Sequence, residues 1–72
     1  MKEQYVGYEY VFYESKDEPR TLILEKRDKY VKCSEKKAFK IQEELHKQNN
    51  FALFMLNLLM QEQYKGWKIK EI

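Results

Sequence analysis

Lys47-Gln48-Asn49-Asn50-Phe51-Ala52-Leu53-Phe54-Met55-Leu56-Asn57-Leu58-Leu59-Met60 is the stretch on which the fold turns. Nine of the ten residues 51–60 are apolar, and Asn57 is the single interruption. At about 100° per residue, Asn57 and Gln61 share one narrow strip, and apolar side chains cover nearly all the rest of the cylinder. A surface helix normally carries one apolar stripe and one wet face. This one has more apolar surface than one sheet can cover. A second copy of the chain is the expected partner, met through Phe51, Phe54, Met55, Leu58 and Leu59. Immediately upstream, Asn49-Asn50 reads as a break, because it offers both a left-handed helix end and a new N-cap. That reading gives two helices, over residues 35–48 and 51–65, with Gly66 stopping the second.

The first helix opens at Ser34, a good N-cap, with Glu35 in the first turn where the helix dipole favours an anion. Ala38, Ile41 and Leu45 form its apolar stripe, flanked by Phe39. Upstream, Gln-Tyr-Val-Gly-Tyr-Glu-Tyr-Val-Phe-Tyr-Glu at residues 4–14 is rich in aromatic and β-branched side chains and reads as a strand. Alternation puts Tyr8, Tyr10 and Phe12 on one face, and Tyr5, Gly7, Glu9, Val11 and Tyr13 on the other. Both faces are partly apolar, so the strand is expected to be covered on both, or to meet a partner on one. Ser15-Lys16-Asp17-Glu18-Pro19 is a turn. Residues 21–27 follow as a second strand with Leu22 and Leu24 inward and Ile23 opposite. Arg27-Asp28-Lys29 reads as a tight turn into a short strand at 30–33; one long strand over 21–33 with a bulge near Asp28 is the alternative. Residues 67–72 alternate as a closing strand, with Trp67 and Ile69 inward and Lys68 and Lys70 toward water. The expected fold is therefore α+β: a small antiparallel sheet of three or four strands in the order β-β-(β)-α-α-β, with two helices on one face.

Seventy-two residues make one expected domain, 1–72. A domain of this size buries only about 60% of its unfolded surface and usually needs disulfides, a metal or oligomerisation. Cys33 is the only cysteine, so no internal disulfide can form. A lone cysteine in a Lys/Glu-rich chain fits a reducing compartment, and the start Met1-Lys2-Glu3-Gln4-Tyr5 carries no apolar leader core. The apolar run is far shorter than the roughly 20 residues a membrane span needs. The expectation is a soluble cytoplasmic protein with no membrane contact. In composition alone the chain resembles small accessory proteins of low-GC bacteria and their phages; no motif carries that likeness.

Chemistry-bearing motifs are sparse. Two glycines, Gly7 and Gly66, cannot build a phosphate loop, which needs several backbone N–H groups converging on one anion. No Cys-x-x-Cys or His-Glu-x-x-His spacing is present, so no metal and no other cofactor is expected. His46, the only histidine, reads as a helix-end imidazole interacting with the C-terminal dipole. Cys33 reads as a small apolar residue at a strand end. Adjacent Glu43 and Glu44 point about 100° apart on a helix and cannot act as a carboxylate pair. No catalytic residue is assigned, and the chain is read as a non-enzyme.

Net charge is +2, unevenly spread. Residues 1–18 carry five acids (Glu3, Glu9, Glu14, Asp17, Glu18) against two lysines, whereas residues 26–40 carry seven bases (Lys26, Arg27, Lys29, Lys32, Lys36, Lys37, Lys40) against two acids. Single-strand binders pair a basic groove with aromatic platforms, so this segment is the candidate nucleic-acid contact, with Tyr8, Tyr10 and Tyr13 as stacking surfaces. Glu9 and Glu14 on the same strand oppose phosphate. The favoured expectation is a homodimeric binding or regulatory module acting on an unidentified protein partner; nucleic-acid binding through residues 26–40 is the alternative.

Overall fold

The computed structural model describes residues 4–72, so the readings made of Met1, Lys2 and Glu3 lie outside the described residues. Four elements follow one another: β1 (Gln4–Glu14), β2 (Thr21–Val31), α1 (Glu35–Gln61) and β3 (Lys68–Glu71). β1 and β2 form the antiparallel hairpin that their aromatic and β-branched content favours. In the loop between them the Ser15 hydroxyl accepts from the N–H groups of Asp17 and Glu18. The Ser15 N–H donates to Thr21 O at 2.9 Å and closes the turn.

Residues 21–31 are one strand, with no hairpin at Arg27-Asp28-Lys29. The irregularity lies in the opposite strand instead. Tyr5 pairs with Tyr30 and Gly7 with Lys29, which leaves Val6 as an extra residue. Such a bulge shifts the alternation by one position. Tyr5 therefore shares a face with Tyr8, Tyr10 and Phe12, whereas simple alternation placed it on the other. Gly7 takes φ 149°, and a Cβ there would lie 3.5 Å from Leu45 Cδ1. That is ordinary contact, so the backbone conformation, not crowding, calls for glycine.

The two-helix, all-antiparallel expectation is corrected. A single helix of 27 residues runs from Glu35 to Gln61, and β3 pairs parallel to β2, giving a mixed sheet in the order β1-β2-β3. Length is the physical reason. β3 pairs beside Thr21–Leu24, the start of β2. The chain must therefore travel back along the whole of β2, about 36 Å for its eleven residues. Twenty-seven helical residues cover about 40 Å. A helix over residues 35–48 alone would cover about 21 Å and stop short.

Asn49 explains why the helix does not break there. It is 6% exposed. Its Nδ2 donates to Tyr8 O and its Oδ1 accepts from Tyr10 N–H, both at 2.9 Å. An asparagine whose carboxamide is engaged by a neighbouring strand no longer competes for its own backbone. Tyr8 O and Tyr10 N flank Glu9, the pair of groups that one residue of a parallel neighbour would engage. α1 thus closes part of the free edge of β1 with a side chain.

As expected, the Ser34 hydroxyl caps the helix start, accepting from Lys37 N–H at 3.3 Å. The helix ends at Gln61, four residues earlier than the 51–65 reading, with Glu62 as its cap. Gly66 comes after a further turn, at φ 84°. The core is Leu22, Leu24 and Leu56, with Tyr10, Phe12, Leu53, Met60, Tyr64 and Trp67 packed around it. Trp67 meets Tyr64 edge to face, ring centroids 4.8 Å apart. Ile69, expected inward with Trp67, is 44% exposed because β3 is a free edge strand.

Candidate interaction surface

The helix periodicity sets out two opposed stripes. Leu45, Asn49 and Leu56 are buried, and Leu53 and Met60 join the core on the same side. Phe54 and Leu58 each stand two positions from Leu56, about 200° around the helix. The outcome is direct: Phe51 is 64% exposed, Phe54 58% and Leu58 41%. Met55 and Leu59 are half-buried at the flank of this patch. All five residues named from the sequence thus lie on one helix, three of them exposed on the side away from the sheet. Phe39 is also exposed, about four turns upstream of Phe54.

The basic segment is divided. Alternation along β2 sends Arg27 and Lys29 to the sheet face away from α1. There Arg27 pairs with Glu25, and Lys29 Nζ lies 3.2 Å from Glu9. The Tyr13 hydroxyl donates to the same Glu25 at 2.8 Å. The bond from Arg27, and then that from Tyr13, holds the Glu25 carboxyl below its ordinary range, while the Tyr13 phenol is raised by its bond to Glu25. Lys26 faces the other way, its Nζ 4.2 Å from the Tyr8 ring centroid. Tyr10 meets Tyr8 edge to face, and exposed Tyr5 and Tyr30 pair at 5.2 Å on the same face. Lys32 is exposed beyond the end of β2, and Lys36, Lys37 and Lys40 lie exposed on the first turns of α1. The seven bases therefore occupy three separate surfaces.

His46 lies mid-helix and exposed, not at a helix end, because α1 continues past it. It borders a shallow cleft with Val6, Tyr8, Gln42, Leu45 and Asn49. Cys33 is half-buried, its Sγ 3.7 Å from Val31 O. Among the described residues no group of three or more His, Cys, Asp or Glu is placed to hold a metal, and no helix is long and apolar enough to cross a membrane.

A two-helix reading hides Asn49 as a structural residue. Read as one helix, it stands four positions after Leu45 and seven before Leu56, on the buried stripe. No family model matches this chain, and no curated protein or solved structure is significantly similar to it.

Proposed function

We propose that this protein is a non-catalytic binding module that self-associates through the outward side of α1. One observation carries the reading: Phe51, Phe54 and Leu58 stay exposed beside Met55 after the sheet-facing stripe has been used by the core. An apolar patch of this kind on a small soluble domain marks an interaction site. A cytoplasmic setting, in which the lone Cys33 stays reduced, belongs to the same reading. Sedimentation velocity tests it. The wild type should sediment as a dimer at about 100 μM, well above a micromolar Kd. Phe54→Lys or Leu58→Lys should sediment as a folded monomer, since neither side chain belongs to the core. A wild-type monomer at that concentration would refute the proposal.

The alternative, single-stranded nucleic-acid binding, draws support from one cluster. Tyr5, Tyr30, Tyr8 and Lys26 place aromatic rings and a cation together on one sheet face. Pairing of Arg27 and Lys29 with carboxylates weighs against it. Retention on heparin that falls steeply with salt, and is lost in Lys26→Ala, would move this reading to first place.

A further inference from the structure

We propose that two chains pair through α1 in an antiparallel register, with the two-fold axis passing between Phe54 and Met55. The proposal rests on the self-association reading above and adds its geometry. A dyad at that point brings together residues equally far from it on either side. Phe51 stands three positions before Phe54, and Leu58 three after Met55. These two therefore face each other across the interface, and Phe54 lies level with Met55 of the other chain, about 1.5 Å along the axis from its own copy. Lys47 stands seven positions before Phe54, and Glu62 seven after Met55. The register that stacks the apolar patch on itself thus brings each Lys47 level with Glu62 of the other chain. At about 100° per residue, Lys47, Phe51, Phe54 and Leu58 fall within about 60° of arc, on the side opposite Leu56, and Glu62 follows directly after Gln61 as the cap of the helix. Lys47 and Glu62 are both exposed, and neither forms an ion pair within its own chain among the described residues.

Charge decides between the two directions of packing. A parallel pair at the same patch sets Lys47 against Lys47 and Glu62 against Glu62, and like charges across an interface are disfavoured. The antiparallel pair replaces both repulsions with two symmetry-related opposite-charge contacts. Each aromatic side chain offers about 150–250 Å² when fully buried. Three partly exposed anchors therefore give a few hundred Å² per chain, below the roughly 800 Å² of a standard interface. The expected dimer is of about micromolar affinity, with the charge pairs fixing direction and register more than strength.

Cysteine cross-linking distinguishes the register from the self-association itself. In a Cys33→Ala background, Lys47→Cys and Glu62→Cys are prepared singly, oxidised alone and as a mixture, and followed by non-reducing electrophoresis. The proposal expects the mixture to cross-link and each single variant to stay monomeric on the gel. Cross-linking of the single variants alone would establish a parallel dimer and overturn the register while leaving self-association intact. A dimer by sedimentation with no cross-link in any sample would also overturn the register. A wild-type monomer would overturn both. A charge-reversal cycle reads the same contact without cysteines. Lys47→Glu should weaken association by about tenfold, and the Lys47→Glu/Glu62→Lys double variant should restore it. A double variant no better than the single would count against the pairing.

Discussion

Both halves of the Asn49 carboxamide are committed to β1, and at 6% exposure little water is available to replace them. Asn49→Ala strands the Tyr8 carbonyl and the Tyr10 N–H, and should cost about 1–3 kcal/mol in a urea titration. Asn49→Asp keeps the acceptor for Tyr10 N–H but turns a second oxygen toward Tyr8 O. Its carboxyl is then favoured in the protonated, donating form, so its folded pKa is raised. The sign follows: the penalty is absent below the unfolded value, about 3.9, and grows as pH rises through it toward the folded value. Asn49→Asp should therefore approach wild-type stability only in acid, and equal destabilisation at every pH would show that the carbonyl contact is not the cause. The tyrosine–carboxylate pairs bound stability from the alkaline side. Hydrogen bonds to Glu25 and Glu14 raise the Tyr13 and Tyr64 phenols above the ordinary value. Their contribution is fully present below that value, about 10, and is lost as pH rises through the folded pKa. The thermal midpoint of the wild type should fall on that alkaline limb, and Tyr64→Phe should flatten the fall. Glu25 acts at the other end: its lowered pKa gives a contribution present above the ordinary carboxylate value and lost as pH falls through the folded one.

For α1 the question is continuity, and Asn50 tests it by the sign of one change. Asn50 is exposed in the interior of a continuous helix. Alanine has the higher helix propensity, so Asn50→Ala should stabilise by about 0.5 kcal/mol. If residue 50 instead capped a second helix, the same change would destabilise by about 1 kcal/mol. Chemical denaturation of the single variant separates the two. This is also where sequence legibility ended. β1, the 15–19 turn, the Ser34 cap and the inward Leu22 and Leu24 were readable because each depends on neighbours within a few residues. Asn49-Asn50 carries the local signature of a break, and what overrides it is Tyr8 and Tyr10, some forty positions away. The bulge at Val6 was unreadable for a similar reason: the slip is defined by the partners Tyr30 and Lys29. The parallel pairing of β3 follows from the length of α1, and so is hidden by the same local signal at Asn49-Asn50. The exposure of Phe51, Phe54 and Leu58 does not depend on that boundary, because they lie on one side of the helix whether it begins at residue 35 or 51.

At the scale of the molecule, one helix packs along β1 and covers only part of one face of a three-stranded sheet, leaving Tyr5 and Tyr30 exposed there, and the other face carries Val11, Ile23 and Tyr13 among the Glu9, Glu25, Arg27 and Lys29 charges. The long dimension is 45 Å and the shortest 11 Å, so surface is large relative to volume. A chain this small has little stability to spare, and association can supply part of what its core does not. Mass action makes that contribution measurable. If folded chains dimerise and unfolded chains do not, the apparent stability of the dimer rises by about 1.4 kcal/mol for each tenfold increase in concentration. Shared between two chains, that is about 0.7 kcal/mol each, or about 3–5 °C in thermal midpoint for a domain of this length. The wild type should show that dependence in scanning calorimetry wherever the dimer dominates. Leu58→Lys should show none, and its midpoint should match the wild type extrapolated to high dilution, because Leu58 lies outside the core cluster and its loss removes only the contact between chains. A wild-type midpoint that does not move with concentration would mean that the apolar side of α1 does not meet a second copy under those conditions. A Leu58→Lys midpoint well below the dilution limit would mean that this side chain supports the fold of the single chain as well.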